Sequence, residues 1–129
     1  MGASAVLLIC SILDKSQIKE YIDICGMLGL SALVEVHDEK EIETALQSGA
    51  GIIGVNNRNL KDFSVDTENS RNLRKFVPND VIFVSESGVK TPEDVQKLRD
   101  IGANAVLIGE TLMRAENKKD MLAKLKGTI

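Results

Sequence analysis

Five short runs of almost unbroken apolar residues, at positions 5–9, 31–36, 52–55, 81–84 and 105–108, constrain this chain more than any other feature. A strand with one solvated face alternates apolar and polar residues. These runs of Val, Ile, Leu and Ala do not, which marks strands buried on both faces in a parallel sheet. Parallel neighbours need a crossover between them, and the segments between the runs have helical period. Their starts are legible. Asp14 with Gln17 and Asp38 with Glu41 read as reciprocal caps, Thr91-Pro92-Glu93-Asp94 as a cap followed by proline and acids, and Asn117 with Asp120 as the last helix start. The segment 67–76 is the weakest helix, because its Asn and Ser lower propensity. Gly29, Gly49 and Gly102 fall between a helix and the next strand, where a left-handed residue is wanted. An internal repeat strengthens the pattern: Gly2-Ala3-Ser4-Ala5-Val6-Leu7 echoes Gly102-Ala103-Asn104-Ala105-Val106-Leu107, with Gly49-Ala50-Gly51 as a weaker copy.

The result is an α/β chain of five consecutive βα units, read as one domain over residues 1–129. Two architectures accommodate strictly alternating parallel units. One is a partial TIM (β/α)8 barrel, whose full form runs to about 250 residues. The other is an open five-stranded parallel flavodoxin-like sheet. A slice of barrel leaves its inner strand faces and two sheet edges uncovered. A missing amino-terminal barrel portion, self-association, or rearrangement into the open sheet are the three ways to cover them.

Composition narrows the function. A net charge of -3 gives no electrostatic reason to expect nucleic acid or a membrane surface as partner, and no apolar run approaches a membrane span. No basic stretch precedes an apolar one at the start, so no secretory signal and a cytoplasmic location are expected. Cys10 and Cys25 read as reduced, mostly buried thiols, and two cysteines with one histidine cannot supply a tetrahedral zinc site. No metal is expected.

Polar residues collect immediately after each apolar run: Glu35-Val36-His37, Asn56-Asn57-Arg58-Asn59, Ser85-Glu86-Ser87-Gly88 and Gly109-Glu110-Thr111. In α/β folds these carboxyl ends share one face, where ligands bind. A carboxylate in a buried strand is costly unless paired or useful, so Glu35 and Glu86 are the most informative residues. Glu35 points opposite to Val34 and Val36, into the mouth of a barrel, where desolvation raises a carboxyl pKa toward general acid–base use. A structural ion pair with Arg58 is the alternative. His37 reads as a strand-end or loop residue. Arg58 suits bidentate grip of a phosphate or carboxylate, with a solvated loop arginine as its alternative. Gly88 allows close approach of backbone to a ligand, and the loops after the last two strands of a barrel commonly hold phosphate.

Four ordered motifs, Ala32-Leu33-Val34-Glu35-Val36-His37, Ile52-Ile53-Gly54-Val55-Asn56-Asn57-Arg58-Asn59-Leu60, Val84-Ser85-Glu86-Ser87-Gly88-Val89 and Ala105-Val106-Leu107-Ile108-Gly109-Glu110, resemble indole-3-glycerol phosphate synthase. Phe63-Ser64-Val65-Asp66 is similar to that family's loop after its sixth strand. The likeness spans essentially the whole chain and covers strands four to eight of that barrel. It implies a lyase of tryptophan biosynthesis, a carboxy-lyase that closes the pyrrole ring of an anilino-ribulose phosphate with loss of carbon dioxide and water. By this resemblance Glu35 is the general base, with Asn56 and Glu86 beside it as catalytic residues, and Arg58 and Ser87 bind the substrate. Gly88, Gly109 and Glu110 present backbone to the phosphate of that sugar phosphate, and no cofactor is implied. The family's first three strands and their two lysines have no counterpart, since Lys61 and Lys90 are loop or helix-start residues. The resemblance therefore predicts little or no synthase activity from these residues alone. A non-catalytic or engineered phosphate-binding βα scaffold is the alternative function.

Overall fold

The computed structural model describes residues 1–127. Five strands, β1 (Ala5–Ile9), β2 (Ser31–Val36), β3 (Ile52–Asn56), β4 (Ile82–Glu86) and β5 (Ala105–Leu107), form one parallel sheet in sequential order. Between and after them lie α1 (Lys15–Met27), α2 (Glu39–Gln47), α3 (Glu68–Leu73), α4 (Pro92–Asp100), α5 (Glu110–Arg114) and α6 (Lys118–Lys126). The order excludes the flavodoxin-like alternative, which interleaves its first strands as 2-1-3-4-5. Each new strand here is laid beside the last, as in a barrel wall.

Side-chain parity explains why only one face is packed. Leu8, Val34, Ile53 and Phe83 stand in one register row, and Val36, Val55 and Ser85 in another; all are buried, with Ile18, Ile42, Ala45 and Leu73 of the helices in the same core. The opposite face leaves apolar side chains uncovered: Leu7 is 45%, Ile82 46% and Leu107 50% exposed. This is the face that faces inward in a closed barrel. The uniformly apolar strands are thus explained by two-sided burial, of which the described residues supply one side.

The helix starts follow the residues that announce them. Asp14 and Gln17 form a reciprocal cap, as do Thr91 and Asp94 with Pro92 in the first turn, and Asn117 accepts from the N–H groups of Lys119 and Asp120. Asp38 differs from the expected reciprocal cap. Its side chain accepts from the Glu41 N–H at 2.8 Å, but the Glu41 carboxylate reaches one residue further back and accepts from the His37 N–H at 2.7 Å. The segment 67–76 splits into α3 and a 3-10 turn at Arg74–Phe76. Gly29, Gly49 and Gly102 all have φ between 68° and 88°, the left-handed region needed to turn from helix into strand. Strand ends shift slightly: β3 and β4 extend to include Asn56 and Glu86, while β5 stops at Leu107, where its β4 partner chain turns left-handed at Ser87 (φ 67°). Cys10 and Cys25 are free and buried.

Phe83 has no exposed surface and lies under the Arg74 guanidinium, 5.2 Å from ring centroid to Cζ. Phe83→Ala is expected to lower unfolding free energy by about 3–5 kcal/mol through lost burial and a residual cavity. Urea denaturation followed by circular dichroism measures it, and a change below about 1 kcal/mol would mean that this face is not the core.

Candidate active site

The carboxyl ends of β2, β3 and β4 bring Glu35, Asn56 and Glu86 together on the open face. Ile9, Glu35, Gly54, Val84 and Ala105 stand in one register row, and Asn56, Glu86 and Leu107 in the row above. Register alone puts Gly54 and a step along the strand between the two glutamates. Gly54 removes that separation. A Cβ built on it would collide with Glu86 Oε1 and lie 2.9 Å from its carboxyl carbon, so the Glu86 side chain lies back across the bare glycine toward Glu35. Gly54 is a site residue that strand-end reasoning misses, because its role is visible only once the register is known.

Both glutamates are buried, Glu35 at 4% and Glu86 at 2% exposure. Each has an Oε1 with no hydrogen-bond donor among the described residues while both groups are ionised. One proton resolves this, because a carboxyl can donate to the carboxylate it faces. The upward pKa shift accordingly falls on Glu86: burial, then the negative charge of Glu35 and a hydrogen bond with it, push its carboxyl up to about 8. Among the described residues no lysine or arginine offsets this. Arg58, the alternative ion-pair partner for Glu35, turns away and donates to Glu110 Oε2 at 2.6 Å.

Around the pair, the loop ends are tied by buried polar contacts. The Asn57 amide donates to Ser85 Oγ and to the Ser87 carbonyl, both at 3.1 Å, and its Oδ1 accepts from the Ser70 N–H at 3.0 Å and hydroxyl at 2.8 Å. The Ser70 and Ser85 hydroxyls share a further bond of 2.7 Å. One asparagine thus fastens the end of β3, the start of α3 and the turn after β4. Asn56 Oδ1 accepts from the Arg58 N–H at 2.9 Å, shaping the turn that carries the arginine. A cleft lined by His37, Asn56, Arg58, Lys61, Ser64 and Asn69, among others, opens over these strand ends.

The remaining predicted residues lie nearby with altered surroundings. Ser87 and Gly88 both have positive φ, 67° and 87°. What the absent Gly88 side chain makes room for is the β3–α3 loop, since a Cβ there would meet Thr67 Cγ2 at 2.8 Å and Val65 Cγ1 at 2.9 Å. Gly109 precedes the first turn of α5, and Glu110 sits on that turn with its carboxylate bound by Arg58 and by Arg114 at 3.0 Å. The hydrogen bond from Arg58, then the charge of Arg114, hold the Glu110 carboxyl below its usual value. Its side chain therefore belongs to a three-residue charge cluster, leaving backbone as what it can present to an anion. Among the described residues no group of three His, Cys, Asp or Glu is placed to hold a metal, and no helix is long and apolar enough to cross a membrane.

The family model for indole-3-glycerol phosphate synthase matches residues 1–125. The chain is 58% identical over 128 residues to the indole-3-glycerol phosphate synthase of Ruminiclostridium cellulolyticum, covering 99% of this chain and 49% of that protein. It is 55% identical over 129 residues to that of Lachnoclostridium phytofermentans, covering 100% and 48%. The chain therefore spans about half the length of the curated relatives it matches. In fold it is similar to 3-hexulose-6-phosphate synthase, with a TM-score of 0.80 at 17% identity over 99% of this chain and 63% of that one. The enzyme of that name from Salmonella typhimurium gives a TM-score of 0.82 at 16% identity over 98% and 61%.

The sign of the Glu86 shift makes stability depend on pH. A carboxyl whose folded pKa is raised from 4.5 to about 8 stabilises the fold fully below the lower value and ceases to do so as pH rises through the upper one. Unfolding free energy is expected to fall between pH 5 and pH 9, by roughly 1–3 kcal/mol after allowance for solvent screening of the open face. Glu86→Gln should flatten that slope in urea titrations, and an equally steep slope in the variant would remove Glu86 as its cause.

Proposed function

The chain belongs to the indole-3-glycerol phosphate synthase family, and from that premise we propose that its residues form the carboxyl-terminal part of the synthase active site. The observation that carries the proposal is the Glu35–Glu86 pair, buried side by side on the inward face with Asn56 beside it. A pair holding one proton presents a base and an acid at once. In this reading Glu35 is the carboxylate that accepts a proton during ring closure of an anilino-ribulose phosphate, and Glu86 is the protonated partner that donates. Asn56 is the third catalytic residue, at the same strand level as Glu86.

Arg58 and Ser87 bind the substrate from the rim. Arg58 already engages one carboxylate, that of Glu110, so an anionic substrate group competes for its guanidinium. The phosphate is held by backbone at the ends of β4 and β5, through Gly88, Gly109 and Glu110. The pairing of Glu110 with Arg58 and Arg114 supports this, because it offsets the only carboxylate that would repel a phosphate at the α5 turn.

Strands opposite β1–β5 complete the pocket over the exposed Leu7, Ile82 and Leu107 face. The chain by itself has little or no synthase activity, since no lysine stands at a described strand end to supply a cationic acid. Mixing it with the amino-terminal barrel portion of a relative should restore turnover of the anilino-ribulose phosphate. Glu35→Gln should then lower kcat by about 10²–10⁴. Equal turnover by Glu35→Gln in a folded, complemented barrel would overturn the assignment of the base, and Glu35-dependent turnover by the chain alone would overturn its inactivity.

A further inference from the structure

His37 follows the last residue of β2 and lies outside the set assigned above to the substrate. Its ring stands between two carboxylates. Nε2 is 3.5 Å from Glu35 Oε1, and Nδ1 is 3.3 Å from Glu41 Oε2. The facing atoms Nε2 and Glu35 Oε1 are both buried and both without a hydrogen-bond partner among the described residues. A buried donor and acceptor that point at one another are costly to leave unjoined. A proton on Nε2 joins them with a closure of a few tenths of an ångström.

The ring is aimed by contacts that do not involve Glu35. Glu41 Oε2 accepts from the His37 backbone N–H at 2.7 Å, and the His37 carbonyl accepts from the Asn69 amide at 3.3 Å. Main chain is therefore clamped from α2 and from α3, and Nδ1 faces the same Glu41 oxygen. This explains why Glu41 abandons the reciprocal cap with Asp38: its carboxylate serves His37 instead. Cys10 packs against the Glu41 carbonyl, its thiol pushed up to about 12 by burial and so uncharged. Besides Glu41, the charged side chains lining the cleft that holds the ring are Asp38, Arg58, Lys61 and Asp66.

We propose that His37 is a positioning residue for Glu35: anchored by Glu41, its Nε2–H donates to Glu35 Oε1 and fixes how that carboxylate faces Glu86. The chain Glu41–His37–Glu35–Glu86 then runs from the rim of the cleft to the acid pair. Its consequence for turnover rests on the reading of Glu35 as the base; the orientation itself does not.

Two amide substitutions separate the two ring nitrogens. Glutamine places its Nε2 where the imidazole Nε2 stands, whereas asparagine reaches only the Nδ1 position. In the full chain, the Glu35 carboxyl 13C resonance is expected to stay near its original position in His37→Gln and to move in His37→Asn. In the complemented barrel, His37→Asn should lower kcat about tenfold with KM within about twofold, while His37→Gln should stay within about threefold. Equal effects of the two substitutions on the resonance, or tolerance of asparagine with loss in glutamine, would overturn the proposal by placing the role of the ring at Glu41. Absence of turnover in the unsubstituted barrel would sink the catalytic reading alone, and the carboxyl resonance would still decide the position of His37.

Discussion

Two carboxyl groups buried against each other on an apolar strand face cannot both ionise without a cation, and among the described residues no lysine or arginine pairs with Glu35 or Glu86. Much of the surrounding sequence makes sense as the means of holding that pair in place. Parallel pairing sets Glu35 beside position 54 and Glu86 one row higher, a separation that only a missing side chain can bridge. Gly54 provides the gap. The same alternation that sends Val34, Val36, Ile53 and Val55 into the helix-covered core sends Glu35, Gly54 and Asn56 to the opposite face. Core packing and site chemistry are thus two sides of one register, and a one-residue slip would exchange them.

The loops do a second job, which is to keep the strand ends from separating. Asn57 lies on the helix side of β3 and uses both ends of its amide to join β4, the turn after it and α3. Arg58, next in sequence, reaches over to Glu110 on α5, linking the end of β3 to the far side of the sheet. Buried hydroxyl and amide contacts of this kind are rigid when fully satisfied. The exposed ion pairs of the rim are weaker and remain available to a ligand. The strand ends thus form a rigid platform with an exchangeable rim.

How much of this could be read from residue types alone depended on distance along the chain. Unbroken apolar runs located all five strands, and Asp14, Thr91 and Asn117 located helix starts, because those signals are local. Glu35, Asn56 and Glu86 stood out because polar groups at the tips of buried strands need a reason. The partners of these groups were not legible. Arg58 finds Glu110 rather than Glu35: its N–H is held in the turn by Asn56, and its guanidinium reaches the first turn of α5. Ser70 gave no hint of its place beside Asn57 and Ser85, since serine in a weak helix is ordinary until the sheet register brings the three together. The raised pKa had to wait for the same reason. It depends on which of two carboxyls lies across Gly54, and that is a cross-strand fact.

The claim on which the rest turns is that Glu35 and Glu86 hold a single proton between them near neutrality. Titration of the Glu86 side-chain carboxyl, followed by its 13C resonance in the selectively labelled chain, measures this without reference to activity. An ionisation displaced upward to about 8 is expected. An ordinary ionisation of Glu86 near 4.5, independent of Glu35, would contradict it.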